Sequence, residues 1–206
     1  KDANIRKKIH NNMAGNFIEF FKNKDRVIAY IIRGGISMWW ILIYLYIPLL
    51  IIRSNLSASW VGYFLFAVAV PLILLEYKFA KVAGRVGFKK MFVIGFMIAA
   101  VCSLAVFFIS SIYIILIFLT LASFGLAMLE PTTEAYFFDI INKKNECRFY
   151  GPQNTTADVS NFFVKMLASL LLIFLPFKFI FLLFSILMFI MSFLSLKIRS
   201  IVEGKR

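Results

Sequence analysis

Three carboxylates, Glu130, Glu134 and Asp139, stand at the end of an apolar run that begins at Ile112, in the stretch LEPTTEAYFFDIINKKNECRFYG over 129–151. A carboxylate well inside a bilayer is costly, so it faces protein or water rather than lipid. Glu130 and Glu134 are four residues apart and share one helix face, whereas Asp139 points largely elsewhere. Two close carboxylates in low dielectric do not both ionise cheaply, which suits a cavity-lining pair to binding a proton or a cation. The other reading of the pair is an ion pair or hydrogen-bonded link inside a helix bundle. Pro131, beside Glu130, frees a backbone carbonyl and permits a kink, either a gating joint or a tolerated bend.

Other polar residues interrupt apolar runs at comparable depth. With Asp139 at the edge of the hydrocarbon, a rise of ~1.5 Å per residue puts Glu134 ~7 Å and Glu130 ~13 Å inside. Arg33 lies ~10 Å inside its own run. A salt bridge to Glu134 is one expectation for it; an anionic substrate gripped by the guanidinium is the other. Gly34 and Gly35 beside it allow local unwinding or close helix packing. Asp158, Asn161, Lys165 and Ser169 follow one another by three or four residues and form a polar stripe on one helix face. That stripe lines a cavity or belongs to a buried network, with Lys165 long enough to reach Glu130 if the two helices adjoin.

The elements that carry these residues follow from composition. Of 206 residues 62% are hydrophobic and 16% charged, with a mean hydropathy of +0.87, far from an ordinary soluble domain. Apolar runs long enough to cross ~30 Å of hydrocarbon predict spans at Val27–Ile52, Trp60–Tyr77 (through Pro71), Met91–Ile109, Ile112–Ile141, Pro152–Leu175 and Phe177–Leu196. The expected architecture is an all-α membrane protein of six transmembrane helices. Residues 1–26 form a basic segment with Ile5, Ile9, Met13, Phe17 and Phe20/Phe21 at helical spacing. It reads as an amphipathic helix lying on an anionic leaflet or packed on the protein's own cytosolic face. Residues 27–196 make the bundle and 197–206 a basic tail.

The net charge of +13 does not point to nucleic acid, because Lys and Arg fall in the short gaps between runs. Alternate connections are basic: 1–26, Lys78–Lys90, Lys143 to Arg148, and the tail. The opposite ones carry little beyond Arg53 and Lys178, so both termini are expected in the cytoplasm. No short apolar segment with a small-residue cleavage site precedes the first run, so no secretory signal is expected. A first residue of Lys and a linker-like opening lead us to expect a piece of a longer chain.

Enzyme chemistry finds little support. The one histidine is His10, outside the apolar runs, which leaves no base for a membrane serine hydrolase and no ligand set for a metalloprotease. Cys102 and Cys147 have neither disulfide-framework nor zinc spacing. The 25 phenylalanines belong to core and lipid-facing positions, and no metal or cofactor is expected. The mitochondrial-carrier repeat and the paired boxes of water channels are missing.

The segment AKVAGRVGFKK over Ala80–Lys90 resembles the signature loop of the major facilitator superfamily, roughly G-x-L-A-D-R-x-G-R-R/K-R/K. Arg85, Gly87, Lys89 and Lys90 match, Ala80 replaces the first glycine, and Gly84 stands where the family has aspartate. Glu130-Pro131, Asp139, Arg148 and Gly151 are similar to the family's bend between the fourth and fifth helices. The resemblance implies the C-terminal six-helix half of a transporter preceded by part of the central linker, built as two inverted three-helix repeats. It also implies a missing N-terminal half, or a second copy, to close the pathway. By resemblance Arg85, Asp139 and Arg148, with Gly87, Lys89 and Lys90 of the signature loop, form the cytoplasmic latch; the other reading of these charges is an ordinary solvated interface.

The sequence therefore predicts secondary active transport of a small solute by alternating access, coupled to a proton or another gradient, in a prokaryotic plasma membrane. Glu130, Glu134, Arg33, Lys165, Asp158 and Asn161 are the expected pathway residues, and Pro131, Gly34 and Gly35 the expected hinges. A membrane scaffold without transport activity is the second reading.

Overall fold

A computed structural model describes residues 13–198, and every regular element among them is helical. Helix α1 (Met13–Phe21) is short. Helix α2 (Lys24–Arg53) starts at Asn23, whose side chain accepts the amides of Asp25 and Arg26 as an N-cap. There follow α3 (Ser59–Val86), α4 (Phe88–Phe108), α5 (Ile112–Ile140), α6 (Glu146–Phe174) and α7 (Phe179–Ser195). Among the described residues five helices are long and apolar enough to cross a membrane, α2 to α6. Helix α7 is apolar but has 17 residues, a length of ~26 Å. Residues 1–12, with the expected Ile5 and Ile9 stripe and His10, and residues 199–206 of the tail lie outside the described part.

Two expected boundaries are corrected. Ala80–Lys90, expected as a loop, is helical except at Gly87. Nothing from Lys78 to Val86 breaks a helix strongly, so α3 continues nine residues past Tyr77 and ends where Gly87 adopts φ 93°. Helix α6 starts at Glu146 rather than Pro152, with an acid in its first turn, the position favoured by the helix dipole. Pro152 removes one backbone bond but does not stop the helix.

A π-helical turn at Leu42–Tyr46 interrupts α2. Pro48 explains it. In a regular helix its ring would collide with the Tyr44 carbonyl. The wider turn avoids this, and the Ile47 amide donates to the Leu42 carbonyl five residues back.

Helix α4 sits between α5 and α7, α3 packs on α5, and α2 packs chiefly on α6 and also touches α5 and α7. Small residues set a close crossing of α4 and α5. A Cβ on Gly95 would lie 2.9 Å from the Gly125 carbonyl oxygen, and one on Gly125 2.5 Å from that of Gly95. Serine hydroxyls tie α4 to α7: Ser103 donates to the Phe181 carbonyl (2.8 Å), Ser185 to that of Ala100 (3.0 Å) and Ser192 to that of Val93 (3.1 Å). The described part of the N-terminal segment packs on protein, with Phe20 fully buried among Phe137, Ile141 and Phe149.

Candidate functional site

One stripe of α2, spaced by four, three and four residues, carries Arg33, Ser37, Trp40 and Tyr44, and faces the Glu130–Glu134 side of α5. The helices run antiparallel, so the two contacts fall in register. Arg33 Nη1 lies 3.3 Å from Glu134 Oε1, and Trp40 Nε1 donates to Glu130 Oε1 at 2.5 Å. The Trp40 ring stacks on Tyr44, with centroids 5.1 Å apart and planes 16° apart. Tyr44 itself is the middle residue of the π turn and is exposed. Glu130 is only partly exposed and feels the charges of Arg33, Glu76 and Glu134. Glu134 is more open, its side chain 57% exposed against 28% for Arg33.

Proline 131 lies within α5, which continues unbroken through it. Thr132 Oγ1 donates to the Met128 and Leu129 carbonyls, and Thr133 Oγ1 to that of Leu129. These bonds occupy carbonyls one turn back and favour a bend. Gly34 and Gly35 lie in regular helix at close crossings. A Cβ on Gly34 would run into Ser160 and come within 3.3 Å of Thr156, and one on Gly35 would lie 2.7 Å from Met191 Cγ.

The structure does not bring Lys165 to Glu130. Helix α6 packs chiefly against α2 and meets α5 near the α5 C-terminus, where Phe137 and Phe138 lie against Tyr150, well short of Lys165 along α6. Asp158, Lys165 and Ser169 are exposed, and neither Asp158 nor Lys165 forms an ion pair among the described residues. Asn161 is half-buried, and its Oδ1 has no partner there. Gln153, 1% exposed, has both amide atoms unpartnered among the described residues.

At the start of α6, beside the C-terminal end of α5, Arg148 is held by α1. Its Nε donates to Asn16 Oδ1 (2.5 Å), Nη1 to Glu19 Oε1 (3.2 Å), and Nη2 to Glu19 Oε2. Arg26 Nη2 donates to the Glu19 carbonyl at 2.8 Å and the Arg26 guanidinium lies 4.2 Å from the Phe149 ring. Asp139 is half-buried, whereas Arg85 is exposed and makes no ion pair among the described residues. Gly87 is the corner between α3 and α4, and Lys89 and Lys90 lie in the first turn of α4.

Sequence reading missed Trp40, Glu19 and Asn16. The signal for Trp40 was present: it stands seven residues from Arg33, and an antiparallel partner already paired at Glu134 places it near Glu130. An apolar cavity of about 520 Å³ between α3 and α5, lined by residues such as Trp60, Tyr63, Phe64, Tyr113 and Leu116, touches none of these acids. Among the described residues no group of three or more His, Cys, Asp or Glu is disposed to hold a metal ion.

The family model described as Major Facilitator Superfamily matches residues 19–205. The chain belongs to the major facilitator superfamily. No curated protein and no solved structure matches it. Membership makes the chain part of a family that moves small solutes across membranes and whose members are transporters, not enzymes. Within the superfamily's signature segment this chain carries Gly84, buried in the last turn of α3, where a carboxylate is usual.

Proposed function

We propose that the chain is one six-helix half of a secondary transporter that works by alternating access, with Glu130 as the proton-coupling residue. The observation that carries this is the double link between α2 and α5, Trp40 to Glu130 and Arg33 to Glu134. A charge-assisted hydrogen bond is roughly twice as strong as a neutral one. Protonation of Glu130 weakens the Trp40 link, so the proton on Glu130 biases how tightly α2 is held to α5. The stacked Tyr44 and the π turn behind Trp40 give that bias a mobile joint on α2, and the bend at Pro131 gives one on α5.

The packing pattern supports two inverted three-helix repeats within 27–196. Exchanging the first three spans for the last three turns the α2–α6 contact into α5–α3 and maps α4–α7 onto itself, and all three packings occur. Helix α7 is then the sixth span. The exposed faces of α3 and α6 support a second bundle: 17% of each span is buried, against 44–56% in α2, α4 and α5. Asn154, Asp158, Lys165 and Ser169 stand exposed on α6, a stripe that a partner half, or a second copy, and the water-filled pathway would cover. The distribution of Lys and Arg supports cytoplasmic termini, with α1 on the inner face.

The test is flux by the full-length protein in proteoliposomes. Substrate-dependent proton movement that disappears in Glu130→Gln is the expected result. A full-length protein that moves no solute from a broad panel, yet forms stable complexes with other membrane proteins, would favour a scaffold.

A further inference from the structure

Helix α3 has 28 residues and is therefore ~42 Å long, against ~30 Å of hydrocarbon. Measured from Trp60, about twenty residues bring the chain to Phe79, so the last two turns emerge from the hydrocarbon. That overhang begins beside Tyr77, 79% exposed, the aromatic type favoured at a membrane interface. Lys78, Lys81 and Arg85 follow at i, i+3 and i+7 and form one exposed ridge. Ala83 and Gly84 on the opposite face are buried against the bundle. Beside the cations, Val82 and Val86 are also exposed. Around the Gly87 corner the first turn of α4 adds Lys89 and Lys90 and contains no acid.

Among the described residues no ion pair neutralises this corner. Between Lys78 and Lys90 there are five cations and no carboxylate, with Gly84 where the signature segment usually has an acid. Neither ion pair among the described residues involves any of the five. Repulsion among five like charges on one short corner favours anions drawn to it from the membrane surface. Depth selects their source. Lys78 and Lys81 leave the hydrocarbon at headgroup level, their aliphatic stems lying along the helix while the ammonium groups reach outward. The exposed valines between them suit acyl-chain or glycerol contact and not free solution.

We propose that the α3–α4 corner is a binding surface for anionic phospholipid, with Lys78, Lys81 and Arg85 gripping headgroup phosphate and Lys89 and Lys90 adding to the local field. The reading does not depend on Glu130 or on proton coupling.

The experiment compares full-length protein in phosphatidylcholine vesicles with and without one-fifth phosphatidylglycerol. It follows the fraction of spin-labelled phosphatidylglycerol, and separately of spin-labelled phosphatidylcholine, immobilised by the protein. Wild type is expected to hold phosphatidylglycerol preferentially, more so at low salt. K78Q/K81Q/R85Q lowers that preference at least ~5-fold, the worth of one such charge near a membrane surface. K78R/K81R retains it, and R53Q/K178Q, at the opposite end of the bundle, leaves it unchanged. An unfolding midpoint in phosphatidylcholine equal to wild type ties the triple variant's loss to the surface. If K78R/K81R loses the preference too, charge is not what holds the lipid and the proposal is overturned. Equal selectivity in wild type and the triple variant overturns it, as does displacement of bound anion by inorganic phosphate without any lipid preference.

Discussion

Trp40 on α2 and Glu130 on α5 are joined by an indole N–H donated to a carboxylate at 2.5 Å, and the same two helices are joined again where Arg33 meets Glu134 at 3.3 Å. The links differ in kind. The Arg33–Glu134 pair is partly open to solvent, so screening and side-chain entropy leave it little net worth. The Trp40–Glu130 bond lies on the less exposed carboxylate and keeps more of its strength.

That difference sets the first expectation. A double-mutant cycle on Arg33→Ala and Glu134→Ala, read from unfolding in detergent, gives a coupling of no more than ~1 kcal/mol. A coupling of several kcal/mol would mean that the pair is far better shielded than its exposure indicates.

Trp40→Phe retains a ring that stacks on Tyr44 but removes the donor to Glu130. A hydrogen bond to a charged group contributes ~1.5–3 kcal/mol, so proton-driven flux by the full-length protein should change by about one to two orders of magnitude. Circular dichroism should stay that of the wild type. Unchanged flux would remove Trp40 from the coupling path.

Glycine substitutions separate two environments. Gly125→Ala places a methyl 2.5 Å from the Gly95 carbonyl oxygen, a backbone atom that cannot swing aside. A loss of ~1–3 kcal/mol in stability is expected. Gly151→Ala meets nothing within 4 Å and should be neutral or stabilising by up to ~1 kcal/mol. Thermal unfolding of both variants in one detergent makes the comparison direct.

Freeing α1 tests its hold on Arg148. In N16A/E19A the guanidinium loses the partners it has on α1, and tryptic cleavage at the exposed Lys22 and Lys24 should quicken about three- to tenfold, as the open form gains population. A cleavage rate equal to wild type would show that Phe20 in its aromatic pocket suffices.

Much of this was legible from residue type and spacing. Apolar runs located the helices because backbone polar groups in lipid leave a long segment little choice but helix. The match in depth between Arg33 and Glu134 foretold their pairing, because depth along a span follows directly from helix rise. Lateral neighbours were less readable. Depth alone allowed Lys165 to reach Glu130 if their helices adjoined, yet α6 packs chiefly on α2, and which helices adjoin depends on crossings such as Gly95 on Gly125. The end of α3 was misjudged because lysines and alanines favour helix as readily outside the hydrocarbon as within it. Trp40 went unnoticed because an indole in an apolar run looks like core until the acid opposite it is known.

The most direct test of Glu130 as the coupling residue is proton movement into proteoliposomes containing the full-length protein, followed with a lumenal pH dye while a substrate panel is added. Glu130→Gln should abolish substrate-dependent proton movement and gradient-driven accumulation while leaving substrate exchange at equal pH largely intact. Proton-coupled accumulation at the wild-type rate in that variant would contradict the role assigned to Glu130.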